Sequence, residues 1–260
     1  NTPFFLYLAH MYVHLPIYVK QEFLDRASNG PYGAAVESID WATSVIMKEI
    51  ELLGLDENTI VIFTSDNGSL GNVPPPFGGS QQSLGGSNFP LRGSKGTTWE
   101  GGQRVPALVR WKGKIESGRI CDELLTAMDF YPTLASICGA TIPQDRVIDG
   151  KDVQEVWFDQ SAKSGHEHFV YYRANVLEAI RNRQYKLHFI KDKQEICELY
   201  DLENDISESI NVYDQFPEVV AELNKAADAY RHLLGDDRVG VKGIQVRPIG
   251  RVENPQRLTQ

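Results

Sequence analysis

The sequence predicts an α/β fold in its first part, a mixed sheet flanked by helices, followed by a smaller α+β part with an antiparallel sheet. Three observations carry this. Residues 4–9, 34–53 and 59–64 read strand, helix, strand, the unit of a parallel sheet. Residues 169–172, 179–181, 186–190 and 199–202 read as short strands joined by tight polar turns such as Glu203-Asn204-Asp205. One helix then runs from Pro217 to Leu234, stopped by Gly235. The composition changes near Gly150, so the chain divides into residues 1–150 and 151–260.

The first strand, residues 4–9, leads into a loop carrying His10, His14 and Pro16. Val36, Ile39, Thr43, Ile46, Ile50 and Leu53 recur at three- and four-residue steps, which makes residues 34–53 an amphipathic helix ending at Gly54. Ile60, Val61, Ile62 and Phe63 read as a strand buried on both faces. Residues 68–94 are rich in Gly, Ser, Pro, Asn and Gln and include Pro74-Pro75-Pro76, the composition of a lid or binding loop. Residues 107–111 and 124–128 are further strand candidates. Asp129 can cap a helix to Cys138, with Pro132 in its first turn and Gly139 at its end. The tail from Val239 reads as extended.

With 42% hydrophobic and 23% charged residues, the 260-residue chain has an ordinary globular composition. A formal net charge of −9 argues against nucleic-acid and anionic-membrane partners. Any anionic substrate must then be drawn in by a local positive cluster. The run 4–9 is too short to span a bilayer and lacks the basic start of a leader. A chain opening so directly on a core strand leads us to expect preceding structure. Cys121, Cys138 and Cys197 have no metal-type spacing and read as buried thiols.

Two stretches carry chemistry. Ser65-Asp66-Asn67-Gly68 sits at the carboxyl end of the strand 59–64, where open α/β sheets bind ligands. The Asp66 carboxylate and Asn67 amide offer hard oxygens of the kind Ca²⁺ or Mg²⁺ accepts. The same tripeptide is also a common turn, and both readings stand on these residues alone. The second stretch runs Leu91-Arg92-Gly93-Ser94-Lys95-Gly96-Thr97-Thr98-Trp99-Glu100-Gly101-Gly102-Gln103-Arg104-Val105-Pro106. Flanking glycines let backbone approach a ligand, and Lys95 among them is a compact charge for an oxyanion or else a mobile surface lysine.

Together these blocks resemble the sulfatase family of the alkaline phosphatase superfamily. Pro3-Phe4-Phe5-Leu6-Tyr7-Leu8-Ala9 with His14-Leu15-Pro16 is similar to its strand and histidine loop. Thr64-Ser65-Asp66-Asn67-Gly68 is similar to its metal-ligand block, and residues 95–106 to its lysine loop. Leu199-Tyr200-Asp201-Leu202-Glu203-Asn204-Asp205 resembles the start of its C-terminal hairpin. The nearest subtypes by resemblance are arylsulfatases and N-acetylgalactosamine-6-sulfatases. The resemblance implies a partial alkaline-phosphatase-like sheet and hydrolysis of a sulfuric ester. It makes Asp66 and Asn67 ligands of Ca²⁺ and places His14 and Lys95 on the sulfate, near the departing oxygen. Arg104 and Glu100 would be structural partners of the loop. His10 has no role in the family pattern, and we take the glycosylation-type triplet Asn67-Gly68-Ser69 as a chance match. His166 and His168 read as a surface pair.

The family makes its nucleophile, formylglycine, within Cys/Ser-x-Pro/Ala-x-Arg. Cys121, Cys138 and Cys197 lack that context, and no early Asp-Asp pair is present. The expectation is a C-terminal portion of a sulfatase that is inactive alone, binds calcium weakly and partners with the N-terminal part of the catalytic domain. A phosphodiester or phosphonate hydrolase of the same superfamily and a non-catalytic binding module are the competing readings. The family is usually periplasmic, secreted or lysosomal.

Overall fold

A computed structural model describes residues 2–71, 85–248 and 250–256. Residues 72–84, including Pro74-Pro75-Pro76 of the long loop, lie outside the described residues. The chain divides into two compact units, residues 1–167 with 202–210, and residues 168–201 with 211–260. Helix α5 (Gln154–Phe158) falls within the first unit.

In the first unit, α1 (Gln21–Leu24) precedes α2 (Gly30–Leu52), which starts with Pro31 in its first turn, where the missing N–H costs nothing. Phe23 of α1 meets Trp41 of α2 edge-on at 6.1 Å, and Arg26 pairs with Glu37 at 3.1 Å. The apolar stripe of α2 is only partly covered. Ala34, Ala35, Ser38 and Ile50 are buried, whereas Val36, Trp41, Val45, Leu52 and Leu53 are exposed. Strand β1 (Val61–Thr64) pairs antiparallel with β2 (Ala107–Arg110), in the register Val61 to Arg110 through Thr64 to Ala107. Between them in sequence lies the short helix α3 (Glu100–Gln103). Helix α4 (Phe130–Ile137) and α5 close a small core in which Val153, Val156 and Trp157 pack against Ile60, Ile62, Val109, Phe130 and Leu134.

Several sequence expectations need correcting. Residues 4–9 form no strand, and Phe5 and Tyr7 are 82% and 80% exposed. A strand exists only through a pairing neighbour, and no described residue supplies one. The strand–helix–strand unit is therefore not a parallel pair, and the partner of β1 comes from beyond the lysine loop. Apolar composition marked β1 as buried on both faces, yet Phe63 is 40% exposed. Residues 124–128 are not a strand; a 3₁₀ turn, Ala127–Asp129, runs into α4. All three cysteines are exposed, not buried.

In the second unit, β3 (Phe169–Arg173), β4 (Val176–Arg181), β5 (Tyr185–Lys191) and β6 (Gln194–Asp201) form an antiparallel sheet in sequence order. Helix α6 (Pro217–Leu234) matches the sequence expectation at both ends. Leu177, Ile180, Leu187 and Leu199 pack with Val220, Leu223 and Ala227 to make the core of this unit. The chain after α6 turns back, so that the amides of Ile244 and Gln245 donate to the carbonyls of His232 and Leu233. Leu187 is 1% exposed at the centre of this core, so Leu187→Ala should cost about 2–5 kcal/mol of stability. Urea unfolding checks this, and an unshifted midpoint would contradict the packing.

Candidate active site

The register of β1 on β2 builds the site. Thr64 lies opposite Ala107, so the chain leaving β1 runs beside the chain entering β2. Ser65-Asp66-Asn67-Gly68 is thereby set against α3 and the lysine loop. The turn braces itself: Ser65 Oγ donates to the Asn67 carbonyl at 3.0 Å, and Asn67 Nδ2 donates to the Gly68 carbonyl at 2.9 Å. Gly68 N–H then donates to Gly102 O at 3.1 Å, and Lys95 N–H to Ser69 O at 2.9 Å. Two backbone hydrogen bonds thus join the two blocks that sequence alone could only list side by side.

Glycine is required at this junction. A Cβ on Gly68 would fall on the Gly101 carbonyl, and one on Gly101 would lie 2.6 Å from the carbonyl oxygens of Arg92 and Gly93. The lysine loop folds on itself through Gly101 N–H to Arg92 O at 2.7 Å, Thr97 Oγ1 to Ser94 O at 2.7 Å and Gln103 Nε2 to Thr97 O at 2.9 Å. Beneath it, the buried Glu208 carboxylate accepts from Glu100 N–H at 2.7 Å, and its carbonyl accepts from Arg92 at 2.8 Å. The Arg92 guanidinium also stacks 3.7 Å over Trp99. Arg104 pairs with the buried Glu100 at 3.7 Å, which agrees with a structural role for both.

The loop therefore consumes its own backbone groups and leaves side chains over. Lys95 is half-buried, and among the described residues its ammonium makes no hydrogen bond or ion pair. The Asp66 carboxylate is exposed and likewise has no partner among the described residues. Asn67 spends its Nδ2 within the turn and keeps its Oδ1. Two such oxygens suit a hard cation, but Ca²⁺ takes about 6–8. Among the described residues there is no cluster of three or more His, Cys, Asp or Glu that could hold a metal. The described residues do not make a complete calcium site.

The structure does not bring every expected residue together. His14 is exposed, its Nδ1 donates to Leu15 O at 2.7 Å, and no hydrogen bond joins it to either block. His10 accepts from Tyr12 N–H at 3.3 Å and stacks on the Tyr12 ring, as a neighbour would. Sequence reasoning passed over Tyr32, whose ring packs against Gly86 beside Ser69 Oγ. Burial pushes its phenol up. A lone tyrosine in the first turn of a helix gives no sequence signal for this.

The surface-pair expectation for His166 and His168 is also corrected. The His166 side chain is 7% exposed and its Nε2 lies 2.8 Å from Asp129 Oδ1, while His168 meets Glu222 at 3.5 Å. The separation of 37 positions between Asp129 and His166 hid the first contact. Asp129 also accepts from Thr126 N–H at 2.7 Å and Lys151 N–H at 2.8 Å. Burial raises its carboxyl, but the bonds from His166 and the two amides outweigh that and hold it below the ordinary aspartate range. A carboxyl held low in the folded state stabilises above its unfolded pKa, and the gain is lost as pH falls through the lowered value. Asp129→Asn should thus cost about 1.5–3 kcal/mol at neutral pH, with the penalty fading as pH drops below about 4. Thermal unfolding across pH checks this, and a penalty that does not vary with pH would contradict it.

Comparison with known proteins fits these blocks. The model of the Sulfatase family matches residues 1–140, and that of N-sulphoglucosamine sulphohydrolase, C-terminal, matches residues 94–232. The chain belongs to the sulfatase family. It is 42% identical over 180 residues to the steryl-sulfatase of Rattus norvegicus, covering 69% of this chain and 31% of that protein. It is 40% identical over 189 residues to the N-acetylgalactosamine-6-sulfatase of Canis lupus familiaris, covering 73% and 34%. The chain thus spans about a third of the length of these relatives. Its backbone is similar to the PsFucS1 sulfatase from Pseudoalteromonas sp., with TM-score 0.74 and 27% identity over 84% of this chain and 46% of that one. The α/β class expected from the sequence stands, as the partial alkaline-phosphatase-like sheet of that family.

Proposed function

We propose that this chain forms the sulfate-gripping wall of a sulfuric ester hydrolase. The observation that carries the proposal is the backbone junction between Ser69 and Lys95. It ties the backbone of the Lys95 loop to that of the Asp66-Asn67 turn, and among the described residues neither the Lys95 ammonium nor the Asp66 carboxylate has a partner, which supports reading the two as one grip. Lys95 would meet the bridging oxygen of the ester, where negative charge grows as the S–O bond breaks. His14, with Nδ1 donating to Leu15 O, leaves Nε2 as the atom that could pass a proton to the departing alcohol. Asp66 and Asn67 would supply part of the ligand set of a calcium ion, which neutralises sulfate charge when bound.

Turnover needs a nucleophile. The sequences after Cys121, Cys138 and Cys197 do not match the formylglycine motif, so this chain alone should hydrolyse no sulfate ester. The relatives named above act on a sterol sulfate and an amino-sugar sulfate. The sulfate ester is what they share, and a sugar sulfate is the substrate class we favour from the N-acetylgalactosamine-6-sulfatase among them.

The test joins this chain to a sulfatase segment bearing formylglycine and measures a chromogenic aryl sulfate and the matching aryl phosphate in parallel, with calcium present. Sulfate turnover is expected to exceed phosphate turnover. Lys95→Ala should lower it by about 10²–10³. A variant as fast as the parent, or a preference for phosphate, would overturn the reading. Aryl sulfate turnover by the unjoined chain, lost on Lys95→Ala, would contradict its inactivity alone.

A further inference from the structure

We infer that Asn88 is the positioning residue that fixes the spacing between the Asp66-Asn67 turn and Lys95, and through it the grip on a tetrahedral oxyanion. The inference rests on the sulfate-gripping role proposed above and adds a residue to it.

The case starts from the hydrogen-bond capacity of one side chain. The Asn88 Oδ1 accepts from Ser69 N–H at 2.7 Å. Its Nδ2 donates to Ser69 O at 2.9 Å and to Gly93 O at 3.1 Å. Ser69 is two residues beyond Asn67, and Gly93 is two residues before Lys95. One amide therefore ties both blocks, and it does so at the same carbonyl, Ser69 O, that receives the Lys95 amide. The pattern demands an acceptor and two donors on one short planar group. Only a primary amide provides these; a carboxylate accepts alone, and an alkyl group does neither.

Asn88 is itself held. Its carbonyl accepts from Leu91 N–H at 2.8 Å, closing a turn over Phe89-Pro90. The preceding Ser87 Oγ accepts from Phe89 N–H at 3.2 Å. On the far side, Ser69 Oγ receives Gly71 N–H at 3.1 Å and donates to Gly85 O. The clamp is thus a small closed lattice around residue 69. It has no long flexible side chain in it, so losing the amide should shift Lys95 without unfolding the sheet. Phe89, next in sequence and 89% exposed, has no side-chain contact in this lattice and serves as a control.

The experiment compares the unaltered chain with Asn88→Asp, Asn88→Ala and Phe89→Ala. Inorganic sulfate binding is measured by calorimetry in calcium-containing buffer, and amide hydrogen exchange is followed at Ser69, Lys95 and the β1–β2 ladder. Asn88→Asp keeps the acceptor for Ser69 N–H but sets carboxylate oxygens against two carbonyls. Both Asn88 variants should lose at least about tenfold in sulfate affinity, near 1.4 kcal/mol. Their Lys95 amide should exchange at least about tenfold faster while the ladder is unchanged, and Phe89→Ala should match the parent. Unaltered exchange at Lys95, or parental sulfate affinity in both Asn88 variants, would overturn the inference. So would faster exchange across the ladder in both, which would make Asn88 a general support of the fold. If the parent binds no sulfate, the oxyanion role fails by itself, and exchange at Lys95 then decides the clamp alone.

Discussion

The pairing of Thr64 with Ala107 is the constraint on which the candidate site depends. Because strand side chains alternate faces, a slip of one residue would invert every side chain of β1 and displace the turn that follows it. In the observed register the turn lands where Gly68 can reach Gly102 and Ser69 can receive Lys95. The Gly68 crossing leaves no room for a Cβ on Gly68, Gly101 or Gly102, each of which would meet a backbone carbonyl. The chemistry proposed for Asp66, Asn67 and Lys95 rests on that approach of two backbones.

The same logic explains how an ammonium can be kept in reserve. A loop must satisfy its backbone polar groups somewhere, and this one does so internally and against Glu208. Glu208 holds φ of +50°, a conformation uncommon outside glycine, and its carbonyl accepts from Arg92 while its carboxylate accepts from Glu100 N–H. Arg92, flat against Trp99, completes the support. With its framework fixed by other residues, Lys95 carries no structural duty, and its charge remains available for a ligand.

How much of this could be seen in the sequence depended on range. Helix α6 and the four strands of the second unit were legible, since alternation, polar turns, Pro217 and Gly235 are all local signals. The Asp66-Asn67 and Lys95 blocks were legible as separate motifs for the same reason. Their meeting was implied only by the family resemblance and not by any local signal, because it depends on which strand β1 chooses as a neighbour. That choice also defeated the parallel unit and the strand at residues 4–9, where composition was right and no pairing partner is described. Asp129 reads in the sequence as a helix cap, but its carboxylate makes no cap bond to α4 and instead accepts from Thr126 and Lys151 and meets His166, 37 positions away. Asn88 gave no signal at all, because an asparagine before Phe-Pro looks like any loop residue.

Residue-resolved nuclear magnetic resonance titration with inorganic sulfate, in the presence of calcium, tests the central claim most directly. The account predicts that the amides of Asp66, Asn67 and Gly68 and those of Lys95 and Gly96 shift together along one saturation curve with a common midpoint. Shifts confined to one of the two blocks, or two unrelated midpoints, would show that the acid–amide turn and the lysine do not form a single site.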